Sequence, residues 1–401
     1  MQSKNHSPKI FLSGPSFPFR GGISHYTTLL FNHLSQQHSV IFYTFRKQYP
    51  KLLFPGKNDR DHSRMQIIPL KKTDNGPGAE SEIMQELHPF DPVSWLKAAV
   101  KARECSLVLL PWWTVFWAPH YLLFRLIAKT SVNKIFFLCH NVIEHEGSPV
   151  KKIIARLVLR NGDGFLLHTR EEKQRLFNLL GKPCSSVIFP HPVYEIFNRN
   201  RYTQAEARHV LGISPLRKVI LFFGFVRRYK GIEYLLKALT IVKQSDPRIL
   251  LLVVGEVWGG DAYAIDLLTR IREMGLRENV RFINQYVPNE DVELYFRASD
   301  FSVLPYIQGS GSGALQVCYG MDTPVVATDI GSFREIIRQG VTGLTVPPRN
   351  ENQLAEAIIR MYQGGRFQQM ATNIREYRNR FTWEGLVKKL ISLYESTTDG
   401  L

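Results

Sequence analysis

Cysteine is scarce in this chain of 401 residues: there are four, Cys105, Cys139, Cys184 and Cys318. None stands in a C-x-x-C pair, and each follows or lies near an apolar run. They read as buried free thiols of a reducing compartment, which excludes a disulfide scaffold and a zinc ribbon. The opening residues MQSKNHSPKIF contain no apolar stretch of the kind that marks a secretory signal. No apolar run is long enough to cross a bilayer. The longest, from Leu107 to Ile127, is broken by Pro111, Pro119, His120 and Arg125. A cytoplasmic protein is therefore expected, with peripheral attachment to the inner face of a membrane as the further option. Acidic residues are also in deficit, 35 against 51 Lys and Arg, for a net charge of +16. Such an excess points to polyanionic partners: nucleic acid, phosphorylated substrates or an anionic membrane surface. The excess is spread along the chain, and neither an RNA-recognition signature nor zinc-finger spacing accompanies it. Nucleic acid is therefore not an expected partner.

What is present is an ordinary globular composition, 44% hydrophobic and 21% charged, at a length that suits two domains with separate cores. Short apolar runs alternate with helical patterns. Lys9–Ser13, Val40–Phe45, Ile67–Leu70, Leu107–Leu110, Lys134–Cys139, Gly164–His168 and Ser186–Phe189 read as buried parallel strands, with a helical stretch at Ile23–Leu34. Near Pro190–Asn200 the sequence turns polar and reads as a linker followed by a short helix. A second series then follows at Val219–Phe223, Ile249–Val254, Val280–Ile283, Phe301–Leu304, Pro324–Ala327 and Gly343–Val346. The tail from Asn352 is helical in pattern, anchored by Trp383 and Leu386–Leu393. The expected architecture is α/β: two Rossmann-like doubly wound domains, 1–195 and 196–382, facing a cleft beyond the carboxyl ends of their strands.

Three loops at strand ends have the composition to hold a phosphate. Gly14–Gly22 (GPSFPFRGG) opens a helix, and Gly21 and Gly22 allow close backbone approach to an anion. It is not the G-x-G-x-x-G fingerprint, and a plain tight turn is the alternative. Phe222–Gly231 (FFGFVRRYKG) places Arg227, Arg228 and Lys230 between glycines. A solvated basic turn is the alternative to a diphosphate clamp. Pro305–Tyr319 (PYIQGSGSGALQVCY) offers the amides of Ser310, Gly311, Ser312 and Gly313 as an anion nest, against the reading as a flexible linker. His140 and Asn141 directly follow the strand KIFFLC and so face the cleft, unless His140 is a hydrogen-bonded core residue. His191 braces the linker. Glu144, His145 and Glu146 do not have zinc spacing, and no structural metal is expected. Trp112, Trp113 and Trp117 could stack on a sugar or touch lipid, or could simply fill the core.

FFGFVRRYKG, VVGE at 253–256, YFRASDFSVLPY at 295–306 and GALQVCYGMDTPVVATDIGSFREII at 313–337 resemble retaining glycosyltransferases of family 4. So do GPSFPFRGGISHYT, CHNVIEHE and the terminal FTWEGLVKKLISLY, so the resemblance runs over nearly the whole chain. It implies the GT-B fold, with a C-terminal helix (about 383–401) crossing back to the first domain. It implies Gly21 and Gly22 near a donor diphosphate, His140 near the donor sugar, Lys230 on the diphosphate, and the 310–313 loop over sugar and phosphates. The family commonly carries two Glu residues where this chain has Gln308 and Gln316, on the donor sugar and the ribose respectively. A Gln amide keeps the hydrogen bonds but not the charge. Phe225 stands where an Arg usually follows the glycine, and Arg227 can supply that charge. These departures place the chain in a divergent branch.

The resemblance implies transfer of a sugar from a UDP- or GDP-linked donor to a saccharide or lipid-linked acceptor hydroxyl, with retention, in bacterial polysaccharide or glycoconjugate synthesis. No pair of close carboxylates suits a double displacement. A same-face route is expected, in which the leaving diphosphate helps to deprotonate the acceptor. Arg227, Lys230 and the loop amides would stabilise the developing charge. No cofactor is expected, and no metal, since no D-x-D motif stands at a strand end. The alternatives are a non-catalytic nucleotide-sugar-binding protein and a sugar-nucleotide epimerase of the same fold.

Overall fold

The computed structural model describes residues 8–48, 58–67, 81–128, 133–143, 148–258, 260–309 and 313–398. Two wholly parallel sheets organise them. The first contains β1 (Ile10–Gly14), β2 (Val40–Phe45), β3 (Glu82–Leu87), β4 (Leu107–Trp112), β5 (Lys134–Cys139), β6 (Gly164–Leu167) and β7 (Ser186–Ile188), in the order β3-β2-β1-β4-β5-β6-β7. The second contains β8 (Lys218–Phe223), β9 (Ile249–Val254), β10 (Val280–Ile283), β11 (Phe301–Leu304), β12 (Val325–Thr328) and β13 (Gly343–Val346), in the order β10-β9-β8-β11-β12-β13. Strands such as IFLSG, LVLLPW and ILLLVV are apolar along nearly their whole length because helices cover both faces of the sheet.

The first-domain helices are α1 (Gly22–Leu34), α2 (Pro92–Ala102), α3 (Ala118–Ala128), α4 (Pro149–Leu159) and α5 (Arg170–Leu180). After α6 (Gln204–Val210) come α7 (Ile232–Ser245), α8 (Asp261–Glu273), α9 (Val292–Ala298), α10 (Gly313–Gly320), α11 (Gly331–Ile336), α12 (Glu351–Met361), α13 (Arg366–Tyr377) and α14 (Trp383–Thr398). Local chemistry fixes several of their ends. Thr169 caps α5 by accepting from the Glu172 N–H at 3.0 Å, and Gly181 closes that helix in the left-handed region. Thr203 and Glu206 form a reciprocal capping box on α6.

The expected strand at Ile67–Leu70 is not found at Ile67, which is buried in the core without strand pairing; the rest of that run lies outside the described residues. The sheet's third strand is instead β3, EIMQEL, paired in parallel with β2. As a largely exposed edge it has no need of the apolar run that marks its neighbours. Helix α14 crosses back and packs against α1, β6 and β7. Its residues Leu386, Val387 and Leu390 join Phe189, Val193, Tyr194 and Phe197 of the linker in one apolar cluster that is continuous with a face of each sheet.

Candidate functional site at the cleft between the domains

Each sheet order reverses once, between β1 and β4 and between β8 and β11, and the loops beyond the carboxyl ends of those strands line the cleft. In the second domain β8 runs into Gly224, at φ +97°, and a short turn delivers Lys230. Lys230 is buried. Its ammonium lies so close to Gly224 that a Cβ there would sit 3.4 Å from Nζ, and it stands 5.3 Å from the Tyr306 ring. Burial, reinforced by the Arg227 charge, lowers its pKa to about 7. Gly231 must be glycine: its φ is +68°, and an added Cβ would meet the Pro305 carbonyl oxygen at 2.1 Å. That close approach joins the second predicted loop to the third, and Ile307 N–H donates to the Tyr229 carbonyl at 2.7 Å. No side chain caps the N-terminus of α7 directly after it. Arg227 is half-buried over the Trp258 ring at 4.7 Å, whereas Arg228 is exposed and lies over Tyr263 at 4.4 Å. Phe225 packs on Trp258 with ring centroids 4.2 Å apart and forms cleft wall where the resembled family has a cation.

In the first domain Gly21, at φ +112°, begins α1 with no side-chain cap, and nothing lies within 4 Å of a Cβ built on Gly21 or Gly22. The amides of this helix N-terminus therefore open onto free space in which an anion can bind. Arg20, just before them, reaches the second domain: its guanidinium is 3.5 Å from the Glu256 carboxylate and 4.3 Å from the Tyr286 ring centroid. Beside it lies a buried polar clasp. Asp61 accepts from Tyr286 Oη at 2.9 Å, from Asn289 Nδ2 at 3.1 Å and from the Ser63 N–H at 2.8 Å. Burial alone would raise its pKa, but the His25 imidazole 3.9 Å away and hydrogen bonds from Ser63 and Tyr286 outweigh it and hold the carboxyl below its usual range. Glu290 accepts from the Arg64 and Met65 N–H groups at 3.0 and 3.1 Å. Sequence reasoning missed these partners, and no local pattern signals them.

His140 follows β5, His168 follows β6 and His191 lies just past β7. The sheet order thus brings three imidazoles together, and one nitrogen of each lies within 4.8 Å of one nitrogen of both others. The His168 and His191 rings stack at 3.7 Å, and Tyr26 of α1 meets all three edge-on at 4.7, 5.6 and 5.2 Å. Burial holds His140 and His191 neutral, with pKa values well below 6.5, and lowers that of His168 to about 4. His191 therefore does more than brace the linker. The signal available in the sequence was a histidine at or just past the end of each of three successive strands.

The remaining expected site residues fall as follows. Asn141 is half-buried beside His140, Gln308 is exposed, and Gln316 is fully buried. Both amide atoms of Gln316 lack a hydrogen-bond partner among the described residues. Gly313 opens α10, and a Cβ there would be 4.0 Å from the Tyr194 ring. Ser310, Gly311 and Ser312 lie outside the described residues, as do Glu144, His145 and Glu146. Trp112 and Trp117 belong to the core and do not line a surface, and Trp113 packs against them half-buried.

Two Rossmann-like domains with these sheet orders and a returning C-terminal helix make the GT-B fold. Solved structures bear this out. A sucrose-phosphate synthase from Thermosynechococcus elongatus superposes with a TM-score of 0.71 at 19% identity, over 98% of this chain and all of its own. Anabaena HepE in complex with UDP-glucose gives a TM-score of 0.71 at 15% identity, over 98% of this chain and 99% of its own. Residues 217–364 match the family described as Glycosyl transferases group 1. The chain is 29% identical over 255 residues to a D-inositol 3-phosphate glycosyltransferase of Corynebacterium diphtheriae, which covers 62% of this chain and 60% of that one. A protein of the same description from Rhodococcus jostii is 27% identical over 253 residues, covering 62% and 56%. The chain thus aligns with about 60% of the length of the curated relatives it matches. The family match falls within the second domain, and both relatives are described as glycosyltransferases. Among the described residues no helix is long and apolar enough to cross a membrane.

Proposed function

We propose that the chain is a glycosyltransferase that moves a sugar from a nucleotide-diphosphate donor to an acceptor hydroxyl with retention of configuration. One observation carries this reading: a buried lysine, Lys230, stands at the carboxyl end of β8 beside the bare backbone of Gly224, at the switch point of a sheet. A buried ammonium without a carboxylate among its hydrogen-bond or ion-pair partners in the described residues is costly, and a bound diphosphate removes that cost. Arg227 and the uncapped N-termini of α1 and α7 add positive potential. In this reading charge accumulating on the leaving diphosphate is stabilised by Lys230 and Arg227, and that diphosphate accepts the acceptor's proton on the same face. His140 and Asn141 approach the sugar, and Gln308 hydrogen-bonds it. The complexes of Anabaena HepE with UDP and with UDP-glucose favour a uridine donor.

Melting the protein with UDP, GDP, ADP and their sugar conjugates, and repeating the panel on Lys230→Ala, tests the site. A ligand at about 100 times its Kd adds roughly 2.7 kcal/mol. Base-selective stabilisation that the variant loses supports the reading; no shift with any nucleotide overturns it. The second reading, a nucleotide-sugar-binding protein without transfer, is favoured by the absence of carboxylates at positions 308 and 316. It predicts intact binding with no donor turnover in any acceptor extract.

Helix α4 bears on the acceptor. Val150, Ile153 and Leu157 are exposed there, beside exposed Lys152, Arg156 and Arg160. An apolar strip flanked by cations suits an anionic lipid surface and hence a lipid-linked acceptor. Cosedimentation with anionic vesicles at low salt is expected, and failure to sediment overturns the membrane assignment alone.

A further inference from the structure

Of the three clustered histidines only His140 has a part in the proposed donor binding, and His168 and His191 are not used by it. His168 Nδ1 lies 2.8 Å from the Phe189 carbonyl oxygen, an atom that can only accept. The proton must therefore sit on Nδ1, and Nε2 is left as a bare lone pair. That Nε2 is buried and has no hydrogen-bond partner among the described residues. The same holds for His191 Nδ1 and for the hydroxyl of the fully buried Tyr26. Three buried polar atoms left unmatched at one point are costly, at about 1–3 kcal/mol each, and such groups ask for an occupant.

We propose that His140, His168 and His191 form a binding site for a divalent transition-metal ion of the zinc type. Imidazole nitrogen suits such ions and not Mg²⁺ or Ca²⁺, which take oxygen. The hydrogen bond from His168 Nδ1 to a backbone carbonyl is the outer-shell contact that orients a metal-ligating imidazole. Tetrahedral ligands at about 2.0–2.1 Å from zinc stand about 3.4 Å apart, so one nitrogen of each ring, all within 4.8 Å of one another, needs to close by at most about 1.4 Å. Three protein ligands leave a fourth position for a water or hydroxyl oxygen, the arrangement of an exchangeable site rather than a closed structural one. The inference departs from the expectation of no metal, because ligands supplied by three separate strand ends leave no spacing motif in the sequence. It does not rest on the proposed sugar transfer.

The test uses the full chain stripped with a chelator and titrated with Co²⁺ and, separately, Zn²⁺. Expected are the intense visible bands of tetrahedral Co²⁺ saturating at one equivalent, Zn²⁺ displacing them, and a rise in Tm with Zn²⁺ that Mg²⁺ does not give. His168→Asn and His191→Asn should each weaken Co²⁺ binding by at least about 100-fold, more than loss of an outer-shell contact does. Tyr26→Phe, which removes no imidazole, should leave the bands in place. Circular dichroism and nucleotide-induced stabilisation on the same samples show whether each variant is folded. A folded parent chain that gives no tetrahedral bands and no Zn²⁺-dependent change in Tm overturns the proposal, as do bands that survive in both histidine variants. Neither result touches the assignment of Lys230 to the diphosphate.

Discussion

Replacing Lys230 with methionine should stabilise the protein and disable it. Burial brings the lysine pKa from 10.5 to about 7. At 1.36 kcal/mol per decade this disfavours the ammonium by about 5 kcal/mol, an upper bound that local relaxation and water reduce to about 2 kcal/mol. Below about pH 7 both folded and unfolded chains carry the proton, and the full penalty is felt. Between about pH 7 and 10.5 only the unfolded chain keeps it, so stability rises with pH across that window. Lys230→Met removes the penalty. In denaturant melts of the ligand-free protein it should exceed the parent by about 2 kcal/mol at about pH 6, with the gap closing as pH rises. A diphosphate needs the charged form. Donor binding must then take up a proton above about pH 7, and parent affinity should fall about 15-fold between about pH 7 and about pH 8.5. The diphosphate diester of a sugar nucleotide does not ionise in that interval, so the slope belongs to the protein. Titration calorimetry in two buffers of different ionisation enthalpy reads the proton directly. A pH-independent parent affinity, or a methionine variant that binds as tightly as the parent, would falsify the assignment of Lys230 to the diphosphate.

Three further predictions test the frame around this lysine. Gly231→Ala forces a side chain into φ +68° and against the Pro305 carbonyl, so urea melts should show a loss of about 2 kcal/mol or more, together with weakened nucleotide binding. Asp61→Asn should cost about 1–3 kcal/mol at neutral pH. Because the folded carboxyl titrates below its usual range, the parent loses the same contribution on acidification, so melts at pH 7 and pH 3 should show the difference shrinking in acid. Gln308→Glu, at an exposed position, should leave stability within about 0.5 kcal/mol, whereas Gln316→Glu, fully buried, should lower it by about 2 kcal/mol or more in thermal melts.

The legible parts of the chain were those in which one segment carries the whole message. Apolar runs ending in glycine and charge, as in KVILFFGFVRRYKG, announce a buried strand and the loop beyond it. β3 was hidden because a solvent-facing edge strand can be built of Glu, Gln and Met, and Ile67 attracted the strand assignment although it only fills core. Asp61 meets Tyr286 across 225 residues of chain, and Asn289 across 228. Tertiary packing alone makes that clasp. The three histidines were individually visible at strand ends, but their convergence follows from the order β5-β6-β7, which composition does not encode. Gln316 sits in the right stretch of sequence for a ribose contact, and its complete burial depends on how α10 seats against the linker, where Tyr194 N–H donates to its backbone carbonyl at 3.3 Å.

The two domains are held together by two kinds of contact. On the linker side Phe189, Val193, Tyr194 and Phe197 merge with α14 into one apolar core, and Trp383 donates to the Val193 carbonyl at 3.1 Å. Opening that side would expose apolar surface at about 25 cal/mol per Å². Elsewhere the domains meet through polar pairs: Arg20 with Glu256, Asp61 with Tyr286 and Asn289, Glu290 with the Arg64 and Met65 amides, and Glu335 with the Arg170 amide at 2.8 Å. Such pairs exchange for water at a small net cost, on the order of 1 kcal/mol each. The linker and α14 thus form the apolar join between the domains, and the polar pairs form a latch. The latch residue Arg20 immediately precedes the open amides of Gly21 and Gly22. An anion bound at those amides and at Lys230 would therefore draw the two domains together.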